Sequence, residues 1–316
     1  MRGEGLLFLL RRIAQHRNNR LNANKLLSPD HARRKVVVRQ SDRLTSDTVF
    51  PFRQERSMPT FAANLTTMFT EAPFPQRFSL AAQAGFTAVE CLFPYALPPE
   101  ALTELLEENQ LQLVLFNLPA GNWEQGERGL TALPGRESEF LEGLELARAY
   151  AEAANCPLVH AMAGIEPGTD LAALERTYKA NLGLAADFFA GHGIKVAIEP
   201  INRRSMPGYF LHSLQQATRC IEELGKPNLV LQFDFFHVQM EEGCVSLKFK
   251  ECFPLVGHCQ IAGAPERHEP DSGELNYAYI FELLDTLNYR GYVGCEYIPA
   301  GETLAGLTWF RSTNKA

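Results

Sequence analysis

The chain runs to 316 residues, 46% of them apolar and 21% charged; that suits a large globular core, and no apolar stretch nears the roughly 18 residues that span a bilayer. Charge is uneven: residues 1–57 hold 13 Lys and Arg against 5 Asp and Glu, which leaves 17 basic and 32 acidic groups downstream. A body of net charge −15 repels nucleic acid and anionic membrane, so neither is an expected partner and a small diffusible substrate is.

At the N-terminus, "RRIAQHRNNR" and "HARRKVVVRQ" are Arg-rich, and only "LLFLL" has a core-forming look. Arg-rich, acid-poor leaders include transit peptides, and basic arms can hold nucleic acid. Residues 1–57 read instead as a disordered basic extension, or as a start assigned too far upstream, and carry no functional weight. A clean domain begins at Met58-Pro59 and runs to Ala316 with no linker or low-complexity tract.

Eight β-rich runs follow in order: 61–66 ("FAANLT"), 88–93 ("AVECLF"), 111–118 ("LQLVLFNL"), 158–164 ("LVHAMAG"), 195–201 ("KVAIEPI"), 229–235 ("LVLQFDF"), 256–262 ("VGHCQIA") and 292–298 ("YVGCEYI"). Between them apolar residues recur at three- and four-residue spacing, the mark of a helix packed on one face. Leu102, Leu105 and Leu106 share such a face; so do Phe140, Leu144, Ala147 and Tyr150, and later Ile280, Leu284 and Leu287. Gly85, Gly193, Gly225 and Gly291 precede strands, where a helix C-cap calls for positive φ. Eight β/α repeats with strands apolar on both faces predict a single-domain (β/α)8 TIM barrel over residues 58–316. An open doubly wound sheet is the alternative, but it wants a Gly-rich phosphate loop after its first strand, and "FAANLTTMFTEAPF" has none. The seven cysteines form no CxxC pair and sit mostly in apolar contexts, as reduced core thiols of a cytoplasmic protein do.

In a barrel, active-site residues project from the C-terminal ends of the strands. Strand five ends at Glu199, strand six at Asp234, strand seven at Gln260 and strand eight at Glu296. Alternation places His258 with Gln260, and Gly294 with Glu296, on one side of their strands. Three carboxylates and an amide oxygen make a hard, oxygen-only site suited to one divalent cation, Mg²⁺ or Mn²⁺. Any one of these residues alone could be a surface salt bridge; four on successive strands are not.

These segments resemble the hydroxypyruvate isomerase family, including its 2-oxo-tetronate isomerase branch, within the xylose-isomerase-like TIM barrels. The likeness covers nearly all of residues 58–310 and rests on "FAANL", "GFTAVECLFPY", "LPAGNWEQGERGLTALPGR", "AIEPIN", "QFDFFHVQ", "VGHCQIAGAPERHEPDSGELNY" and "GCEYIPAG". "FAANLTTMFTEAPF" and "QIAGAPERHEP" are similar to the tetronate branch, "AIEPIN" and "NLPAGNWEQGERG" to the hydroxypyruvate enzymes. The resemblance implies a divalent cation on Glu199, Asp234, Gln260 and Glu296, with Glu199 and Glu296 as the acid–base pair. It also implies that the substrate is a short 2-oxo acid whose carbonyl moves by one carbon through an enediolate. Hydroxypyruvate would give tartronate semialdehyde, or 2-oxo-tetronate would give 3-oxo-tetronate. A homo-oligomer is the expected assembly.

Substrate contacts are expected from Arg267, seven residues after Gln260, and from His237, three after Asp234 on the following loop. His258, one layer below Gln260, is expected to hold a ligand carboxylate. His160 reads equally as pocket wall or satisfied core residue, and His212 and His268 as caps or surface groups. The long loop "GNWEQGERGLTALPGR" suits a lid carrying Trp123, Glu127 and Arg128, or a segment folded on the rim. Other functions stay open: a sugar-acid epimerase or dehydratase on the same metal site, or a non-catalytic sugar-acid binding protein. A nuclease of this fold would want several His ligands and a basic groove, against the acidic charge here.

Overall fold

The computed structural model describes residues 59–165, 168 and 170–313. The basic extension read over residues 1–57 lies outside the described residues. Among those described, no helix is long and apolar enough to cross a membrane.

Eight parallel strands close into a barrel in chain order. They are β1 (Thr60–Asn64), β2 (Ala88–Cys91), β3 (Gln112–Asn117), β4 (Leu158–His160), β5 (Lys195–Ile198), β6 (Leu229–Asp234), β7 (Val256–Ile261) and β8 (Tyr292–Cys295). All eight predicted runs are strands, trimmed mainly at their C-terminal ends, where the chain leaves the ladder to build loops. Around them lie α1 (Phe74–Ala84), α2 (Pro99–Glu108), α3 (Glu137–Ala153), α4 (Leu171–Ala190) and α5 (Leu214–Leu224). Then come α6 (Phe235–Glu241), α7 (Val245–Cys252), α8 (Tyr277–Thr286), α9 (Thr303–Gly306) and α10 (Thr308–Thr313). The helices cover the outer face of the sheet and side chains fill the inner one, which is why the strands read as near-continuous apolar runs.

The predicted helical faces are those that pack. α3 buries Phe140, Leu144, Ala147 and Tyr150, α2 buries Leu102 and Leu106, and α8 buries Ile280 and Leu284. Each such Leu, Ile or Phe side chain contributes roughly 1.5–3 kcal/mol relative to exposure. Leu105 and Leu287 lie at the edges of their stripes and are half-buried. Two glycine assignments need correction. Gly193 has positive φ but follows the α4 cap Gly191, which is right-handed. Gly291 lacks positive φ; Asn288 takes that role at φ 57°, and Gly291 clears the Tyr289 ring, whose hydroxyl a Cβ would meet at 2.3 Å.

The barrel interior is tiered. Ala62, Ala88, Val114, Leu115, Leu158 and Ala197 form an apolar floor, joined by Val230 and Tyr292. Alternation carries the same inward face two residues further along each strand. There it presents Asn64, Glu90, Asn117, His160, Glu199, Gln232 and Gly294. The floor is hydrocarbon and the tier above it is polar throughout, apart from one glycine. Two bulges fall at this boundary: Val114 is the extra residue where β3 passes Val89 and Glu90, and Gly257 where β7 passes Leu231 and Gln232. Such bulges re-aim the side chains beside them.

Candidate active site

At the top of the polar tier, Glu199, Asp234, His237 and Glu296 bring one donor atom each within 4.8 Å of the others. Glu199 follows β5 and Glu296 follows β8, whereas Asp234 is both the last residue of β6 and the N-cap of α6. Its Oδ1 accepts from the Phe236 N–H at 2.8 Å, which leaves Oδ2 for the site. Asp234 Oδ2 and Glu199 Oε1 are buried with no hydrogen-bond partner. Leaving a buried acceptor unsatisfied costs about 1–3 kcal/mol, more when it is charged, so these two oxygens fit a group not yet counted. Three carboxylates and the oxygen-rich surroundings suit a hard divalent cation.

Burial pushes all three carboxyls up. Glu199 is raised well above its ordinary value by burial and then by Glu296 and Asp234. Glu296 is raised by burial to about 8, with Arg267 opposing, and Asp234 is raised by burial against the pull of Arg267 and two backbone N–H groups. A glutamate near 8 sits close to the range in which a side chain both takes and returns a proton at neutral pH.

His237 stands on α6, not on a loop: strand and helix meet without a connection, and Asp234 caps the turn. Its protonation follows from its neighbours. Ser205 N donates to Asn202 Oδ1 at 2.8 Å, which fixes Asn202 Nδ2 toward His237 Nδ1 at 2.6 Å. The Asn202 backbone N–H approaches the same nitrogen at 3.4 Å. Nδ1 is therefore the acceptor, and the proton of the neutral ring is on Nε2. Burial, then Arg267 and His160, hold His237 well below its usual pKa, which favours the neutral ring. Nε2–H points between Asp234 Oδ2 at 3.6 Å and Glu199 Oε1 at 3.9 Å. A protonated nitrogen has no lone pair for a cation, so His237 is placed as a hydrogen-bond donor at the rim of the carboxylate cluster.

Gln260 lines the same cavity as Glu199 and Glu296. Its Oε1 accepts from Gln232 Nε2 at 2.7 Å, and its Nε2 donates to Glu90 Oε1 at 2.7 Å. His258 does not line the cavity. Its Nε2 faces Glu90 Oε2 at 2.7 Å, so the carboxylate it holds is Glu90 and not one of the expected ligands. Asn64 Nδ2 reaches both Glu90 Oε1 at 3.1 Å and Glu296 Oε1 at 3.3 Å. The sequence reading does not single out Glu90, Asn64, Gln232 or Asn202. For Glu90 a signal exists: a carboxylate inside the apolar run "AVECLF" is the same anomaly that draws attention to Asp234.

Arg267 lies on the β7–α8 loop at φ 59°. Its Nη2 is 2.5 Å from Glu296 Oε2 and 3.6 Å from Asp234 Oδ2, and its plane lies over the Phe236 ring at 5.0 Å. Burial lowers its pKa, but Glu296, Asp234 and Glu199 outweigh that and raise it, so the guanidinium keeps its charge. His160 is pocket wall: buried, pushed to about 3 by burial and then His258, and hydrogen-bonded through Nδ1 to Asn117 Oδ1 at 3.2 Å. His212 and His268 bind backbone carbonyls away from the cavity. On the β3–α3 loop only Trp123 lines the cavity, with Arg128 stacked on it at 3.9 Å and Phe93 at its edge. Glu127 turns away to Arg136 at 2.7 Å.

Residues 78–313 match the family model of the xylose isomerase-like TIM barrel. The 2-oxo-tetronate isomerase of Cupriavidus necator is 49% identical over 80% of this chain and 98% of its own length. The hydroxypyruvate isomerase of Escherichia coli K12 is 41% identical over 79% and 97%. Among solved structures, one named as an AP endonuclease, family 2, from Brucella melitensis superposes with a TM-score of 0.80 at 47% identity, over 81% of this chain and 99% of the other.

Proposed function

The chain belongs to the xylose isomerase-like TIM barrel family, and from that premise we propose that it is a metal-dependent isomerase of a short 2-oxo acid, hydroxypyruvate or 2-oxo-tetronate. It is an isomerase of the kind named by its curated relatives. The observation that carries the rest is the pair of orphaned oxygens, Glu199 Oε1 and Asp234 Oδ2, inside a buried cluster of three carboxylates. Glu199, Asp234, Gln260 and Glu296 would hold the cation. Mg²⁺ or Mn²⁺ bound there supplies Lewis-acid stabilisation of negative charge developing on the substrate oxygens.

The protein's own groups do the remaining work. Glu199 and Glu296 flank the reacting carbons: one removes the proton beside the carbonyl, and the other delivers a proton to the neighbouring carbon of the enediolate. Assistance of this kind contributes typically about 10²–10⁴-fold. Arg267 offers two parallel N–H groups to the substrate carboxylate. His237 donates from Nε2 to a substrate oxygen, with its tautomer set by Asn202. Trp123, with Phe93 packed against its edge, walls the mouth and keeps water from the enediolate.

Product position separates this reading from an epimerase, which returns the proton to the same carbon. The nuclease name of the Brucella melitensis protein finds no support in a body of net charge −15. The deciding experiment incubates the chain with each 2-oxo acid in D₂O with Mg²⁺ or Mn²⁺ and follows products by NMR. The expected result is isomerised product carrying solvent deuterium, with Glu199→Gln and Glu296→Gln each slowing exchange by at least about 10²-fold. No turnover of either acid with any divalent metal would overturn the proposal, and persistent exchange in either variant would remove that residue from the acid–base pair.

A further inference from the structure

Glu90 is fully buried on β2, in the tier of Glu199 and one step below Glu296, and the chemistry above gives it no task. A glutamine amide has two ends of nearly equal shape, of which only the oxygen can ligate a cation. Which end Gln260 presents is therefore a functional question. Glu90 Oε1 lies 2.7 Å from one end of that amide. A carboxylate accepts only, so the end it faces must be the NH₂; the reverse orientation would set two oxygens together with no proton between them. Gln232 Nε2 completes the clamp by donating to the other end at 2.7 Å. A carbonyl oxygen has a second lone pair, so this bond leaves Gln260 Oε1 able to serve a cation.

We infer that Glu90 is a positioning residue that fixes the Gln260 amide with its oxygen toward the metal, an inference that rests on reading Gln260 as a ligand. Three donors hold the carboxylate in place: Gln260 Nε2, His258 Nε2 at 2.7 Å and Asn64 Nδ2 at 3.1 Å. Asn64 also donates to Glu296 Oε1 at 3.3 Å, which ties the same carboxylate to a second expected ligand. Room for it comes from β8, which flanks β1 on the side opposite β2. A Cβ on Gly294 would lie 2.3 Å from Glu90 Oε2 and 2.4 Å from Oε1. The φ of Gly294 is not left-handed, so what is required there is space alone. The one gap in the polar tier is filled by a carboxylate from the next strand but one.

The test measures Mn²⁺ affinity of the full chain by counting free Mn²⁺ with electron paramagnetic resonance, with circular dichroism confirming the fold of each variant. Glu90→Met removes the acceptor, and Gly294→Ala leaves Glu90 in the chain but displaces it. Both are expected to weaken Mn²⁺ binding by roughly 10–100-fold, as loss of an outer partner of a ligand does. Glu90→Gln keeps an acceptor for Gln260 Nε2 and should stay within about threefold of wild type. If Glu90→Met does not fold, Gly294→Ala decides alone. Wild-type affinity in the folded variants, with only the melting temperature lowered, would mean a merely structural role and overturn the inference. So would a Glu90→Gln loss as large as that of Glu90→Met. Gln260→Leu separates the two levels: if it too binds Mn²⁺ normally, the ligand reading falls along with the inference; if it alone binds weakly, only the inference falls.

Discussion

Arg267 is half-buried, and its guanidinium has Glu296 at 2.5 Å and Asp234 at 3.6 Å. Charge-assisted hydrogen bonds of this kind contribute about 1.5–3 kcal/mol each, so Arg267→Met should raise KM for a 2-oxo acid by roughly 10–100-fold. The change in kcat should be smaller, and an unchanged KM in steady-state assays would take the carboxylate away from Arg267. At this scale Glu199, Asp234, Gln260 and Glu296 were legible because each interrupts an apolar run at a strand end. Glu90 interrupts one in the same way, but the run "AVECLF" continues to Phe93 and leaves it in the middle. Asn202 was illegible for a different reason: its role exists only through Ser205 on one side and His237 on the other, a relation no spacing encodes. The same holds for His258, whose partner is 168 residues away in the chain.

The β7–α8 loop, which positions Arg267, owes its shape to backbone hydrogen bonds. Arg267 N donates to Gly263 O at 2.7 Å, Glu274 N to Ala264 O at 2.8 Å, and Ile298 N to Arg267 O at 2.8 Å. Gly273 permits the second of these contacts: its φ is 89° and a Cβ would lie 2.1 Å from Ala264 O. Gly273→Ala should therefore open the loop, raising KM several-fold or more and lowering Tm by several degrees, at roughly 2–4 °C per kcal/mol. Calorimetry and kinetics on that variant check it; unchanged KM would uncouple the loop from the site. Elements with one buried face were readable in order, because three- and four-residue spacing survives wherever a helix has a wet side. α6 was not, since Phe235, Phe236, His237 and Val238 are all buried. A seven-residue helix whose first turn is wholly buried shows no period, and His237 therefore reads as a loop residue.

The whole molecule carries its charge cluster at a cost that pH exposes. Folded-state pKa values of Glu199, Asp234 and Glu296 lie above their ordinary ones, so the folded chain holds more protons than the unfolded chain. The stability they contribute is complete at low pH and is lost as pH rises, through about 8 for Glu296. His160 and His237 act with the opposite sign: both are lowered from 6.5, so their contribution is complete above that value and lost below it. Among these groups the carboxylates change most between about pH 6.5 and 8. EDTA-treated protein should lose on the order of 2 kcal/mol from Glu296 across that interval. Saturating Mn²⁺ should raise Tm more at pH 8 than at pH 6.5, because the cation binds the deprotonated cluster. Differential scanning calorimetry at the two values checks it, and a Tm indifferent to metal at both would remove the cation from the cluster. The tiered interior has another consequence, for assembly of the barrel itself. A one-residue slip of β6 would swing Gln232 and Asp234 out against the helices and bring Leu231 and Phe233 inward. Such a slip strands charge in hydrocarbon, so the polar residues of the barrel interior also proofread the pairing of the strands that carry them.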